Sequence, residues 1–297
     1  MKKVVIDIGG TSIKYALMDM EANIYDQKET ATPRDSLDSL LNVICNIYYQ
    51  YEEVDGIALS MPGNIDSDTG QIYTPGSLVY NENINIIDKL HERLKVMISV
   101  ENDAKCAALA EVWKGNLKDC DDGIVLIIGT GIGGGIVHQK EAIKGKHFFA
   151  GEVSYLVCDM EEFDFKNAFA LKGSTTALIQ KTAVLKHMDP SVLDGKKVFE
   201  LIANNDEDAC LAFDEMCTYL AKEIYNLQCI FDPEKILIGG GISRQPILLT
   251  RISEKIDQLY KKIPVAIPHP CLDVCRFYNE SNLIGALYHY KKLEDHI

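Results

Sequence analysis

The stretch VVIDIGGTSIK, residues 4–14, sets the architecture that we expect for this chain. It places a glycine-rich turn directly between two apolar runs, and IVLIIGTGIGGGIV at 124–137 has the same plan. Both stretches predict a hairpin between buried strands. Glycine lets the backbone approach a ligand closely and present its N–H groups to an anion. Two such turns, far apart in the chain, indicate two lobes that grip one polyphosphate.

The composition limits the classes of protein to which the chain can belong. The 297 residues, 47% of them apolar, suffice for two domains with substantial cores. The net charge of −14 argues against a general nucleic-acid surface, since phosphate binding draws on clustered basic residues. A single nucleotide stays possible, because backbone N–H groups and Mg²⁺ can hold its phosphates.

Cysteine usage and hydropathy favour a cytoplasmic protein. The nine cysteines are odd in number and scattered, which is typical of reduced thiols. The N-terminal Met-Lys-Lys leads at once into a strand-like run that contains Asp7, so we expect no signal peptide. No segment is apolar for the length that a membrane helix needs. We therefore expect no membrane and no nucleic acid among the partners.

Apolar periodicity predicts a mixed α/β fold in which each lobe opens on an antiparallel hairpin. We place an N-terminal small lobe at 1–118, joined by a C-terminal helix at 282–297, and a C-terminal large lobe at 119–281. Apart from the second hairpin, strands are predicted at about 3–8, 13–19, 23–31, 54–61, 95–100, 235–238 and 272–277. Helices are predicted at about 36–50, 103–113, 174–187, 196–204, 207–230, 244–262 and 282–292.

The first turn carries side chains suited to a phosphate and its metal. Gly9 and Gly10 allow a tight turn after a strand, and the Thr11 hydroxyl can reach a phosphate. Asp7, at the strand end, can hold Mg²⁺ directly or through water. The alternative is an ordinary hairpin with a polar tip. The surrounding Asp, Thr and Lys14, together with the second loop, favour the phosphate site.

Two further segments allow both a structural and a functional interpretation. Asn102 and Asp103 join a predicted strand to a predicted helix, and either residue can simply cap that helix. Helix-start N–H groups would also keep Asp103 ionised, so that it could accept a sugar hydroxyl proton as the oxygen attacks phosphorus. Gly239–Gly241 follows a strand and precedes a helix. It forms either a tight turn or a backbone surface for adenine and ribose.

Taken together, these segments resemble the ROK family of sugar kinases, within the hexokinase–actin superfamily. The matching segments are DIGGTSIK at 7–14, MPGNID at 61–66, ENDAKCAALAE at 101–111, IGTGIGGGIV at 128–137, AGE at 150–152 and IGGGIS at 238–243. Their order and spacing cover nearly the whole chain. The resemblance implies two ribonuclease-H-like lobes, with ATP, Mg²⁺ and a sugar in the cleft between them, and a homodimer as the default assembly.

The resemblance also implies roles for individual residues. Asp103 is the expected catalytic base, and Asn102 and Glu152 are expected to hold sugar hydroxyls. Further sugar contacts are expected at Gly63, Asn64 and Tyr155. The expected ATP contacts are Asp7, which also holds Mg²⁺, and Gly9, Gly10, Thr11, Lys14, Thr130, Gly131, Gly239, Gly240 and Gly241. Among these, Thr11, Thr130 and Gly131 would touch phosphates and Gly240 would lie near the adenosine.

One segment departs from the pattern of many family members. Those members carry Gly-Glu-x-Gly-His, whose His touches both the sugar and a structural zinc, whereas this chain has Tyr155 there. Of the three zinc cysteines that follow in those members, only Cys158 remains. A closed zinc site needs four nitrogen or sulfur ligands, so we predict no zinc. A substitute site that adds Asp159 and Glu161 is the alternative to a solvated acidic loop.

The same departures bear on the substrate. Alignment on GSTTAL at 173–178 puts Ala170 where such members place a second sugar-binding Glu. In the family, the missing His and Glu lie around the C1 and C2 hydroxyls, so their loss makes room for a substituent on O1. We therefore favour phosphorylation of the 6-hydroxyl of a glucosyl unit in a β-glucoside or a disaccharide such as cellobiose. The alternative is a glucose, other hexose or N-acetylmannosamine kinase in which Tyr155 replaces the lost contacts.

Three other classes of protein are less consistent with the sequence. A sugar-responsive repressor of the same family would carry a helix-turn-helix before the first glycine turn, and only six residues precede Asp7. An inactive sugar sensor would not require Asp103 and both phosphate loops. A chaperone-type ATPase of the same superfamily would need a separate substrate domain, for which the chain has no spare residues.

Overall fold

The computed structural model describes residues 2–158 and 164–295. Their contacts separate two compact units. The first comprises Met1–Lys118, Glu141–Ala150 and Asn279–Ile297, and the second comprises Asp119–Lys140 and Gly151–Tyr278. The short segment 141–150 thus belongs to the first unit, although the sequence prediction included it in the large lobe.

The described residues up to Lys118 form eight strands and three helices. The strands are β1 (Lys2–Ile8), β2 (Ser12–Asp19), β3 (Ile24–Ala31), β4 (Val54–Met61), β5 (Asn64–Asp66), β6 (Gln71–Thr74), β7 (Ile84–Asn85) and β8 (Met97–Asn102). The helices are α1 (Leu37–Tyr48), α2 (Ile86–His91) and α3 (Asp103–Lys114), with a 3-10 turn at Val79–Asn81.

The rest of the chain alternates short strands with longer helices. The strands are β9 (Gly123–Ile128), β10 (Ile132–His138), β11 (Glu141–Ala142), β12 (Lys235–Gly239) and β13 (Leu272–Val274). The helices are α4 (Phe169–Gly173), α5 (Thr175–Leu185), α6 (Gly195–Ala203), α7 (Glu207–Phe231), α8 (Pro246–Tyr260) and α9 (Ser281–Asp295). The 3-10 turns are Val153–Tyr155, Phe165–Asn167, Pro190–Val192 and Gly241–Arg244.

The main sheet of the first unit has the order β3–β2–β1–β4–β8. Strands β1 to β3 form antiparallel pairs, whereas β1, β4 and β8 run parallel. In this register Asp7 lies opposite Ser60, and Ser60 lies opposite Glu101. Ligands of open α/β sheets bind outside the carboxyl ends of parallel strands, and these three polar residues stand at that edge.

Helix α9 closes the first unit by packing tightly on α3. A Cβ atom on Gly285 would lie only 1.7 Å from the backbone oxygen of Cys106, so that no larger residue fits there. The strands contribute a core of fully buried aliphatic side chains, which include Ile6, Leu59 and Val100. Burial of this apolar surface fixes the sheet against its helices and so fixes the strand ends that carry polar groups.

In the second unit, four strands lie in the order β10–β9–β12–β13. Strand β9 pairs antiparallel with β10 and parallel with β12, which pairs parallel with β13. Helix α7, 25 residues long, runs beside α5, α6 and α8. It ends at Phe231, and its C-cap Asp232, directly before Pro233, has a left-handed φ of 47°.

The predicted mixed α/β class is confirmed, and both glycine-rich turns lie between paired antiparallel strands. The sequence prediction missed the three-stranded sheet β5–β6–β7 and the short helices α2 and α4. It also placed β8 two residues too early and extended β13 beyond its end at Val274. Among the described residues, no helix is both long and apolar enough to cross a membrane.

Candidate active site

Asp7 sits at the carboxyl end of β1 with its carboxylate held from two sides. The Ser60 hydroxyl donates to Asp7 Oδ1 at 2.8 Å, and Asn282 Nδ2 donates to the same oxygen at 3.0 Å. Burial raises the pKa of Asp7, while these two hydrogen bonds and the charge of Lys14 act in the opposite direction. Lys14 lies directly opposite Asp7 on β2. A fixed carboxylate beside a cation suits the binding of a hydrated metal and a phosphate.

The first glycine turn is braced by side chains from beyond β3. Thr32 Oγ1 donates to the Gly9 oxygen at 2.7 Å, and Arg34 donates to the Gly10 oxygen at 3.0 Å and to Thr11 Oγ1 at 3.4 Å. Arg34 therefore adds a guanidinium beside the hydroxyl that was predicted to reach a phosphate. The sequence prediction missed Arg34, because only the pairing of β2 with β3 brings it back to the turn.

Asn102 is the N-cap of α3, and Asp103 is the first residue of that helix. The Asn102 side chain is only 4% exposed. Its Oδ1 accepts hydrogen bonds from the N–H groups of Ala104 and Lys105, at 3.0 and 3.1 Å. Its Nδ2 donates to the Gly63 oxygen at 3.0 Å. The capping interpretation thus holds for Asn102, and it leaves the carboxylate of Asp103, which accepts from Ala104 N at 2.8 Å, at the positive end of the helix.

Gly63 and Asn64 adjoin this helix start and connect it to the segment 141–150. Gly63 has a φ of 112°, and a Cβ there would lie 2.2 Å from the Thr74 oxygen, so only glycine fits. Asn64 Nδ2 donates to the His147 oxygen at 2.8 Å. The predicted sugar contacts Gly63, Asn64 and Asn102 are therefore brought together within the first unit.

The second glycine turn borders a cavity of about 410 Å³ within the second unit. Of the predicted ATP contacts, Thr130 and Gly241 line it. A Cβ on Gly241 or on Gly129 would meet no atom within 4 Å, so the backbone is open to a ligand there. The sequence prediction did not name the other lining residues as ATP contacts; they are Ile128, Gly129, Thr175, Thr176, Ile179, Gly195, Lys196, Phe199, Ile242 and Gln245.

The remaining predicted ATP glycines have structural constraints of their own. Gly240 has a φ of 87°, and a Cβ there would lie 2.1 Å from the Ile128 oxygen. A Cβ on Gly239 would press on Ile127 and Cys275. Gly131 lies in the turn itself, where the nearest contact of an added Cβ is Ser154 Oγ at 4.0 Å. Of these predicted ATP contacts, Gly131, Gly239 and Gly240 are not among the residues that line the cavity.

The segment after Gly151 forms the 3-10 turn Val153–Tyr155, with Glu152 at its N-cap. Ser154 Oγ donates to the Ile132 oxygen and so ties this turn to β10. Tyr155, the residue in place of the expected His, is 54% exposed. Ala170 lies in α4 and is partly buried. The structure therefore presents neither an imidazole nor a second carboxylate at these two positions.

Cys158, the one cysteine left from the zinc motif, lies beside Glu223. Burial and the neighbouring carboxylate of Glu223 raise the pKa of Cys158 to about 12. Among the described residues, no group of three or more His, Cys, Asp and Glu side chains could hold a metal ion. Asp159 and Glu161, named for a substitute site, lie outside the described residues.

The chain is similar to known proteins over nearly its whole length. The model of the ROK family matches residues 3–292. A β-glucoside kinase of Listeria monocytogenes serovar 1/2a is 30% identical over 297 residues, and the match covers 99% of both chains. A solved structure from Listeria monocytogenes, described as a candidate N-acetylmannosamine kinase, has a TM-score of 0.92 at 29% identity and covers 99% of this chain and 100% of its own. A ROK family protein from Streptococcus pneumoniae, solved in complex with sucrose, has a TM-score of 0.90 at 26% identity, with 100% of both chains covered.

Proposed function

This chain belongs to the ROK family, and we propose that it is an ATP-dependent sugar kinase. In the proposed reaction, the γ-phosphoryl group of ATP passes to the 6-hydroxyl of a glucosyl unit in a β-glucoside or a disaccharide such as cellobiose. The observation that carries the proposal is the polar edge of the first sheet, where Asp7 and Ser60 adjoin the helix start at Asn102 and Asp103. A metal-binding carboxylate, a base and sugar contacts are all available at this edge.

Asp103 serves as the general base in this proposal. The N-terminal end of α3 carries a partial positive charge, which stabilises the ionised carboxylate beside it. As the sugar oxygen attacks phosphorus, its proton passes to Asp103, and the bond between the γ-phosphorus and the bridging oxygen of ADP breaks. Asn102, held by three hydrogen bonds, fixes the position of the helix start and hence of the base.

Asp7 serves as the metal-binding residue, either directly or through water. Ser60 and Asn282 both donate to its Oδ1 and thereby orient the carboxylate. Mg²⁺ held with ATP at Asp7 would supply positive charge that offsets the charge that develops during transfer. Arg34 and Lys14 add positive charge at the same turn, where the phosphates of ATP are proposed to lie.

The cavity in the second unit is the proposed nucleoside site. The aliphatic and aromatic side chains of Ile179 and Phe199 offer an apolar surface for adenine. The open backbone at Gly129 and Gly241 allows close approach of ribose and phosphates. Lys196 lines the same cavity and supplies a charge that a phosphate or a ribose hydroxyl can contact.

The substrate assignment rests on the groups present at Tyr155 and Ala170 and on the relatives. A site without an imidazole and a carboxylate at these positions provides little to pair with free hydroxyls at C1 and C2. The β-glucoside kinase relative and the sucrose complex of the Streptococcus pneumoniae protein support a substrate with a second ring. The candidate N-acetylmannosamine kinase supports the alternative, in which Tyr155 contacts a free monosaccharide.

A sugar panel tests the proposal directly. We would measure kcat/KM with ATP and Mg²⁺ for cellobiose, glucose and N-acetylmannosamine, and locate the phosphate by nuclear magnetic resonance of each product. The proposal predicts the highest kcat/KM for cellobiose, with phosphate on the 6-hydroxyl of its non-reducing glucose. A kcat/KM for cellobiose well below that for glucose would reject the glucoside assignment. Absence of transfer to every sugar, with ATP still bound, would instead favour a sugar sensor.

A further inference from the structure

Two large aromatic side chains of the second unit are exposed beside each other. Tyr155 is 54% exposed and Phe165 is 61% exposed, and their ring centroids lie 6.0 Å apart with an interplanar angle of 41°. Solvent contact of two adjacent apolar rings is unfavourable in the absence of a ligand. Neither residue lines the cavity assigned to the nucleoside, so the ATP site does not account for this pair.

The backbone on both sides of the pair is rigidly connected. Cys158 N donates to the Asn167 oxygen at 2.9 Å, and Phe169 N donates to the Leu156 oxygen at 2.7 Å. These bonds flank a β-bridge between Val157 and Ala168. Beneath the bridge, the Phe169 side chain is completely buried in the core of the second unit. The two rings therefore stand on a fixed support, as a specific binding surface requires.

The pair lies next to the proposed sugar-binding carboxylate. Glu152 caps the 3-10 turn that ends in Tyr155, and Tyr155 N donates to the Glu152 oxygen at 3.3 Å. One turn of a 3-10 helix rises about 6 Å along its axis, which is comparable to the width of one sugar ring. Glu152 immediately precedes this turn and Tyr155 ends it, so about one turn separates the two residues.

Resting on the proposed function, we propose that Tyr155 and Phe165 form a platform for the ring attached to O1 of the glucosyl unit. The flat C–H face of a pyranose or the face of a phenyl ring packs on aromatic side chains, and the Tyr155 hydroxyl adds a hydrogen-bonding group. Free glucose has no second ring and would not reach the platform. Tyr155 and Phe165 would thus determine specificity for glycosides without acting on the transferred phosphoryl group.

Single and double alanine variants of the platform test this inference. We expect Phe165→Ala to lower kcat/KM for cellobiose and for phenyl β-glucoside about fivefold, through KM, because one aromatic contact is lost. The Tyr155→Ala/Phe165→Ala double variant is expected to lose more, about 20-fold. For Phe165→Ala, the kcat/KM for glucose is expected to change less than about twofold. Phe165→Trp, which restores a larger ring, is expected to keep the affinity for both glycosides.

Tyr49→Ala is the matched control, because it removes a ring that is 67% exposed and also stands beside a second ring, at 5.6 Å from Tyr48. It is expected to leave all three substrates unaffected. If the wild-type enzyme phosphorylates cellobiose and Phe165→Ala changes the kcat/KM for cellobiose and for glucose alike, or changes neither, the platform is refuted while the proposed function stands. If the wild-type enzyme uses only monosaccharides, the glucoside assignment fails and the platform fails with it.

Discussion

The two units share a strand plan and differ in what the strands present at their carboxyl ends. In the first unit, β1, β4 and β8 bring Asp7, Ser60 and Glu101 to one level of the sheet. In the second unit, the residue one position before the end of β9 is Ile127, which lies opposite Gly239 of β12, so neither strand presents a charged side chain at this level. The same scaffold thus supplies side-chain chemistry in the first unit and accessible backbone with an apolar cavity in the second. We expect substitutions to separate accordingly into effects on turnover and effects on nucleotide binding.

The largest effect is expected for Asp103→Asn in the first unit. Because the amide cannot accept the hydroxyl proton, kcat is expected to fall by about 10²–10⁴, while sugar binding measured by calorimetry stays close to that of the wild type. Asp88→Asn, in the first turn of α2, replaces a comparable helix-start carboxylate away from the sheet edge and is expected to keep full activity. Near-normal turnover of Asp103→Asn would show that Asp103 is not the general base. The proposed functional difference between the two units would then fail.

Asp7→Asn is expected to have the next largest effect. The amide can still accept hydrogen bonds from Ser60 and Asn282, but it binds Mg²⁺ less well. We expect kcat to fall roughly 10²–10³-fold with MgATP, with part of the loss recovered at high Mg²⁺ concentration. An unchanged dependence of rate on Mg²⁺ concentration would exclude Asp7 as the metal-binding residue.

Asp7→Asn is also expected to change how the stability of the protein depends on pH. Burial raises the pKa of Asp7 in the folded protein above its value in the unfolded chain, which is about 4. The folded state therefore holds this proton more tightly, and stability is lost as the pH rises from about 4 to the raised pKa. The uncharged amide carries no such cost, so the melting temperature of Asp7→Asn is expected to rise relative to that of the wild type across this pH window. Thermal unfolding from pH 4 to pH 8 tests this prediction. A difference in melting temperature that shrinks with rising pH would contradict it.

Substitutions of two adjacent glycines of the second unit are expected to have intermediate effects. Gly241→Ala is expected to affect ATP binding, and Gly240→Ala is expected to affect folding. A Cβ on Gly241 meets open space, so Gly241→Ala is expected to fold normally and to raise the KM for ATP about tenfold, as one close backbone contact is lost. Gly240→Ala would force a left-handed backbone and a clash with the Ile128 oxygen, and it is expected to lose roughly 1–3 kcal/mol of folding free energy. Equal ATP kinetics in Gly241→Ala and the wild type would place the nucleotide elsewhere.

Asn102→Ser is expected to have the smallest effect. It tests whether Asn102 contributes to sugar binding in addition to capping α3. Serine keeps a capping oxygen for α3, so the free energy of unfolding is expected to change by only about 0.5 kcal/mol. It deletes the Nδ2 donor to Gly63, and kcat/KM for the sugar is expected to fall about threefold to tenfold. Unchanged kinetics with unchanged stability would show that Asn102 acts only as a cap.

The sequence predicts best those features that depend on neighbours in the chain. Both hairpins, the cap at Asn102 and most helices follow from local periodicity and from the positions of glycine, asparagine and proline. The sheet β5–β6–β7 was missed, because strands of two to four residues carry too few alternating positions to reveal a period. The predicted ATP and sugar residues stay predictions, although Asp7, Asn102, Gly63 and Asn64 fall within one hydrogen-bonded edge of the first unit.

The features that the sequence did not reveal depend on long-range contacts. Arg34 reaches the first turn only because β3 pairs with β2. Lys196 of α6 and Gln245, which precedes α8, line the cavity of the second unit, and neither belongs to a motif that the sequence analysis recognised. The assignment of 141–150 to the first unit depends on contacts such as Asn64 Nδ2 with the His147 oxygen, which no spacing of residue types predicts.

Helix α9 has a consequence for the biosynthesis of this chain. It packs on α3, and its Asn282 completes the hydrogen bonds of Asp7, although some 160 residues, most of them in the second unit, separate it from Lys118. A ribosome adds about 5–20 residues per second, so the first unit waits roughly 10–30 s for its closing helix. During this interval part of the apolar surface that α9 covers is exposed, and chaperones can bind to it. The hydrogen bonds of the Asp7 carboxylate are therefore completed only after most of the second unit has been synthesised.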